Sequence, residues 1–156
     1  MKKHTYDDFW LGKDMENMGH MFEYCDKFSR EVYHKKYFYK LKFIKNFMKS
    51  NIRKEMEDNH PRLLSQSARD SFIKYIEVDC DGNIEQYIDK QASSKEDYVD
   101  HQLYWVGWAY AYIHHNADIP FAELIEKIPV ETMLDWYYIG HEMNIAVFYD
   151  RVKESL

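Results

Sequence analysis

Residues 20–60 run for forty-one positions without a glycine or a proline, and this stretch limits the possible folds more than any other feature of the chain. Only five glycines (12, 19, 82, 107 and 140) and three prolines (61, 120 and 129) stand among 156 residues. A sheet protein needs more turn residues than that, and strict apolar–polar alternation is almost absent. The chain reads as all-α. Leu11, Met15, Met18, Phe22, Cys25 and Val32 recur at steps of 4, 3, 4, 3 and 7, one apolar stripe of a helix that reaches about Tyr33. After a turn near residues 34–36, the spacing of Tyr37, Leu41, Ile44, Met48 and Ile52 predicts a second helix over 37–57, broken by Asn59-His60-Pro61.

Ser65 or Ser67 can cap a third helix through Phe72, Ile73 and Ile76, and Asp79-Cys80-Asp81-Gly82-Asn83 has the composition of a turn. The stretch 84–94 is the least determined. Ser93-Ser94-Lys95-Glu96 forms a capping box for a helix over about 95–116, apolar nearly all round between Leu103 and Ile113. Gly107 and Ala111 there allow another backbone close approach. Pro120 and Pro129 open two short helices, the second ending at Gly140, and Asn144 caps a last one through Phe148 and Val152. The expectation is a single domain, 1–156, of six or seven helices around a central aromatic-rich helix.

The aromatic fraction of 17% excludes a disordered chain, and mean hydropathy is still −0.69 because tyrosine carries much of the burial. Two cysteines, Cys25 and Cys80, are too few for a disulfide framework. With no apolar run after Lys2 and Lys3, the chain reads as cytoplasmic. The longest stretch free of Asp, Glu, Lys and Arg is 101–117, and it contains His101, Gln102, His114, His115 and Asn116. It is a core helix, with no membrane span predicted.

Net charge is −6 but unevenly spread: 1–50 carries 11 basic and 7 acidic residues, 51–100 carries 7 and 12, and 101–156 carries 3 and 8. Between 27 and 54 ten basic residues face one acid, Glu31. On a continuous helix Lys42, Lys45, Lys49 and Arg53 fall within a stripe about 80° wide, with Tyr39, Phe43 and Phe47 nearby. Such a ridge is a solvated face, a dock for an acidic protein, or a track for a phosphate backbone.

No pattern for catalysis or cofactor binding is present. His114 and His115 precede Asp118 by four and three residues, but the predicted helix ends at Asn116, and His141-Glu142-Met143-Asn144-Ile145 lacks the second histidine of a zinc helix. No metal is predicted. An EF-hand loop starting at Asp79 needs glycine sixth and glutamate twelfth, where Ile84 and Lys90 stand. Arg30 and His34 are too close for the R-x4–6-H pattern of helical ribonucleases, and neither G-x-S-x-G nor a phosphate-binding glycine loop occurs. Trp105, Trp108, Trp136 and Tyr137 form an aromatic block that is either core or a stacking surface for a small ligand.

The segment QLYWVGWAYAYIHHNADIPFAELIEKIPVETMLDWYYIGHEM, residues 102–143, resembles small helical proteins of Gram-positive bacteria and their mobile elements. Those proteins share a W-x-G-W-x-Y-A-Y helix, then P-x-E-x-M-L and a G-H-E turn. The front half is similar to the same group through W-L-G-K-D-M, E-x-x-H-P-R-L-L-S-Q and F-I-x-Y-I-E-V-D. Because relatives of this kind stand beside candidate toxin genes, the resemblance implies an antitoxin or accessory role and carries no catalytic residue. The expected function is therefore a non-enzymatic protein-binding module, without cofactor, whose partner is an acidic protein or a cognate toxin and whose contact residues are Lys42, Lys45, Lys49 and Arg53. The alternative is nucleic-acid binding or processing through the same ridge.

Overall fold

The computed structural model describes residues 8–58, 66–91 and 100–156. Among them are eight α-helices, and no strand is present beyond one isolated bridge. They are α1 (Asp8–Tyr33), α2 (Lys40–Met48), α3 (Asn51–Asp58), α4 (Ala68–Asp79), α5 (Asp100–Ala117), α6 (Phe121–Lys127), α7 (Val130–Gly140) and α8 (Ile145–Val152). The all-α reading holds. No helix among the described residues is long and apolar enough to cross a membrane.

The centre is the crossing of α1 and α5. Leu103, Val106, Ala109, Tyr110 and Ile113 of α5 are all fully buried, as a helix without a polar face requires. Gly107 makes the close approach possible: a Cβ built there would overlap the Met18 carbonyl of α1. On the opposite helix Gly19 gives its space to the Tyr104 ring. Backbone meets backbone here, so neither helix can yield without shifting the other.

Two capping residues act as the sequence predicts. The Ser67 hydroxyl accepts from the Asp70 amide at 3.1 Å, and the Asn144 side chain accepts from the Ala146 amide at 2.8 Å. Ser65, the Asn59-His60-Pro61 break and the Ser93–Glu96 capping box lie outside the described residues.

The predicted helix over 37–57 is instead two helices, which is why the described residues hold eight rather than six or seven. The chain breaks after Met48 because the Ser50 hydroxyl accepts from the Arg53 amide at 3.0 Å. Asp79, at the end of α4, accepts from the amides of Asn51 and Ile52 at 2.9 and 3.1 Å. A serine and a distant carboxylate together start a new helix that apolar spacing alone does not reveal. Ahead of α2, His34 and Tyr37 adopt φ of 58° and 60°, and the turn leaves Tyr37 exposed rather than buried. Phe38 takes the core position and bridges Ile88. The described part of 84–94 is thereby tied down: Tyr39 donates to the Tyr87 carbonyl at 2.7 Å and Asp89 to the Tyr37 carbonyl at 2.8 Å.

Phe43 and Phe47, expected beside the basic ridge, lie fully buried against Phe72 and Tyr75. Around them Phe38 and Tyr87 complete an aromatic cluster, and the Tyr75 and Tyr87 hydroxyls bond each other. Polar tips inside a tyrosine-rich core are paired with one another, as burial demands.

The crossing gives a paired test. Gly107→Ala should destabilise the fold by about 1–3 kcal/mol through overpacking. Gly12, inside α1 with nothing within 4 Å of its Cβ position, should tolerate alanine with a gain of roughly 0.5–1 kcal/mol. Urea unfolding of the two variants reads both signs, and equal effects would contradict the crossing.

Candidate functional site

The predicted ridge divides at the α2–α3 break. Lys42, Lys45 and Lys49 remain on the surface, whereas Arg53 is fully buried. Placing all four on one face assumed a continuous helix, and the new start at Ser50 turns Arg53 inward. The expectation that Arg53 contacts a partner is corrected accordingly. The three lysines have partners within the chain. Lys42 donates to the Gln86 carbonyl at 2.9 Å and lies 5.8 Å from the Tyr87 ring centre. Lys45 pairs with Glu131 at 2.5 Å, which holds the Glu131 carboxyl below its ordinary range through that hydrogen bond. Lys49 pairs with Glu126. The basic front of the chain is therefore laid against the acidic α6–α7 segment.

Arg53 sits in the densest polar arrangement of the fold. Its Nη1 and Nη2 donate to the two carboxylate oxygens of Asp14 at 2.7 and 2.8 Å, the bidentate geometry that suits guanidinium best. Its Nε donates to Glu57 at 3.1 Å, and the same Glu57 oxygen accepts from the Phe121 amide at 3.1 Å. The guanidinium carbon stands 3.8 Å from the Phe121 ring centre, a stacked cation–π contact. His115 donates from Nε2 to the second Asp14 oxygen at 3.0 Å. His114 carries its proton on Nδ1, where it donates to the Ile119 carbonyl at 2.7 Å. One buried network thus joins α1, α3, α5 and the start of α6.

Burial alone would raise the Asp14 carboxyl, but the Arg53 charge and the hydrogen bonds from His115 and Arg53 outweigh it and hold the group far below its usual range. Glu57 moves upward, because its desolvation exceeds the pull of Arg53. Burial, helped by the Arg53 charge, lowers His114 to about 3. Asp14, His114 and His115 each offer a ligand atom, all within 4.8 Å of one another, so the residue types could hold a metal ion. The charges oppose it. Both Asp14 oxygens already hold a guanidinium, which would repel an incoming cation and would have to leave first. The cluster is an ion-pair node.

The sequence offers Asp118 as a neighbour of His114 and His115 and sets it aside because the helix is expected to end at Asn116; the structure bonds His115 to Asp14, 101 positions before it. A signal for this was available: Asp14 adjoins Met15 and lies four residues before Met18, on the edge of the apolar stripe of α1. An acid on a buried stripe requires a cation.

The aromatic block also divides. Trp105 and Tyr137 are buried and meet edge to face at 5.9 Å, and Trp105 meets Phe148 at 5.0 Å. Trp108 and Trp136 are half-buried. Trp136 lines a groove of about 270 Å³ between α7 and α8, together with Ile139, Met143, Phe148 and Val152, with Asp135 and Arg151 at its edge. Tyr138 and Ile139 are 65% and 67% exposed and Val147 is 47% exposed. Of these three, Ile139 lines the groove itself. No family model, no curated protein and no solved structure matches the chain.

The node dictates acid sensitivity. In the unfolded chain His114 binds a proton below about 6.5, but in the fold only below about 3, so unfolding takes up a proton and stability falls as pH drops through that interval. Asp14 adds to the loss below its unfolded value of 3.8, while the raised Glu57 works in the opposite direction and softens it. Urea midpoints measured from pH 7 to 4 should decline. Asp14→Asn should cost about 3–5 kcal/mol at pH 7 by removing the bidentate countercharge of the buried Arg53 and leaving it Glu57 alone.

Proposed function

We propose that this chain is a non-enzymatic protein-binding module whose contact surface is the apolar groove of α7 and α8. The observation that carries the reading is the exposed Tyr138–Ile139 pair beside that groove. Several charged side chains elsewhere have intramolecular work. Asp14, Arg53 and His115 close one another off from solvent, and Lys45 and Lys49 hold Glu131 and Glu126. An acidic partner on the ridge would have to displace those glutamates, and a phosphate backbone would also meet the acidic α6–α7 segment beside it. The groove carries no such penalty. The antitoxin role implied by the resemblance is the special case in which the bound protein is a toxin.

Capture of the native partner from source cells tests the reading. Wild-type chain and a Lys45→Gln/Lys49→Gln variant should both retain one stoichiometric protein, and Ile139→Asn should lose it, by about tenfold or more in affinity if Ile139 is a central anchor. Loss from the lysine variant with retention by Ile139→Asn would move the surface to the ridge. Co-purifying nucleic acid, released steeply between about 50 and 200 mM salt, would replace the protein-binding reading altogether.

A further inference from the structure

The turn that joins α1 to α2 holds a tyrosine in water under tight constraint. His34 and Tyr37 take φ of 58° and 60° there, a region that bulky residues enter only where the surrounding structure imposes it. The Ser29 hydroxyl donates to the Lys35 carbonyl at 3.0 Å, the Asp89 amide donates to the Tyr37 carbonyl at 2.8 Å, and Phe38 bridges Ile88. Tyr37 is thereby fixed with 63% of its surface exposed, while Tyr33, Phe38 and Tyr39 are buried or half-buried. A ring already fixed in place loses little freedom on binding.

The charge around that ring is positive. Residues 26–42 and 84–91, which the Phe38–Ile88 bridge joins, hold seven lysines and arginines against four carboxylates, in a chain of net charge −6. Three of the four carboxylates are engaged. Asp26 lies 3.2 Å from Lys40, Glu85 lies 3.0 Å from Lys35, and Asp89 is buried, where it accepts from the Gln91 amide at 3.1 Å. The fourth, Glu31, is exposed in the last turn of α1. Lys42 is held by an uncharged acceptor, the Gln86 carbonyl. Lys36 directly precedes Tyr37 and Lys90 directly follows Asp89, so the two flank the hydrogen bond between those residues. Both are exposed, and no carboxylate among the described residues forms an ion pair with either. The Lys90 charge reaches Glu85 only as a weaker influence than Lys35.

We propose that the α1–α2 turn is a second contact surface, one that takes a short acidic segment of another protein. Carboxylates of that segment meet Lys36 and Lys90, and an apolar side chain between them lies on the Tyr37 ring. Electrostatic complementarity selects the sign of a partner, and tyrosine is a favoured anchor. Unlike Lys45 and Lys49, these lysines have no glutamate to release when the partner arrives. A nucleic acid fits less well, because single strands are held by a succession of stacking rings and Tyr37 alone is exposed among residues 33–39. The net charge of the whole chain would also repel a polyanion. The inference rests on the protein-binding reading but not on the groove, so the two surfaces can fail separately.

Two labelled peptides serve as probes, one of glutamate and aspartate around a central phenylalanine, the other with lysine replacing every acid. Fluorescence anisotropy against the full-length protein at about 150 mM salt should show the acidic peptide binding at least ~10-fold more tightly than the basic one. Tyr37→Asn removes the ring yet suits a positive φ, and should weaken the acidic peptide ~10-fold. Lys36→Gln/Lys90→Gln should weaken it several-fold and flatten its salt dependence, whereas Lys45→Gln/Lys49→Gln and Ile139→Asn should leave it unchanged. Equal binding of the two peptides, binding of neither, or indifference to Tyr37→Asn or to Lys36→Gln/Lys90→Gln would each overturn the inference. Tighter binding of oligothymidylate, lost on Tyr37→Asn, would make the occupant a nucleic acid, and self-association dispersed by Lys36→Gln/Lys90→Gln would make it a second copy; either result overturns the inference too. If neither peptide binds while capture of the native partner still depends on Ile139, the turn is wrong and the groove stands. If the acidic peptide binds as described and Ile139→Asn keeps the captured protein, the groove is wrong and the turn stands.

Discussion

A carboxylate with no exposed surface, Asp14, determines how four helices meet. Removing an ionised group from water costs several kcal/mol, and only a partner of opposite charge in good geometry offsets it. Arg53 supplies both Asp14 oxygens with a donor and His115 adds a third bond. Arg53 can reach Asp14 only because the chain restarts its helix at Ser50, and that restart in turn uses the Asp79 carboxylate at the end of α4. Glu57 then accepts from both Arg53 and the first amide of α6, so the same guanidinium sets where α6 begins. The glycine-mediated crossing of α1 and α5 brings Asp14 and His115 to one level. Each of these contacts has its meaning through the others.

The charge distribution follows the same logic on the outside. The basic front and the acidic back of the chain fold against each other through Lys35–Glu85, Lys45–Glu131 and Lys49–Glu126. Exposed pairs such as these contribute only about 0–1 kcal/mol each, so their importance lies less in stability than in what they occupy. They place glutamates where an acidic partner was expected, and they leave the α7–α8 face with Tyr138 and Ile139 in water and a groove lined by one acid, Asp135, and one base, Arg151.

Much of the fold was legible because it depends on local rules. Apolar spacing located α1, α4 and the later helices, the prolines at 120 and 129 opened α6 and α7, and Asn144 capped α8. Gly107 was recognisable as a contact point because a glycine inside an otherwise apolar helix requires a packing reason. The α2–α3 break was not legible, since it depends on Asp79, 28 residues beyond Asn51. From that single miss came the wrong face for Arg53 and the overstatement of the basic ridge. The groove was hidden for a different reason. Trp105, Trp136 and Tyr137 are alike in sequence, and only their packing separates the two core rings from the one that lines the groove.

The account separates a buried node that holds the structure from a groove proposed to make the contact. Replacing the node by apolar residues of similar size, Asp14→Leu, Arg53→Met and His115→Phe together, tests that separation most directly. A buried ion-pair network can be exchanged in this way with neutral or improved stability, so the triple variant should fold and still capture the partner that the wild type captures, with Ile139→Asn abolishing the capture in both backgrounds. A triple variant that keeps its helical spectrum and cooperative unfolding but loses the partner would show that Asp14, Arg53 and His115 do the functional work, and would contradict the account.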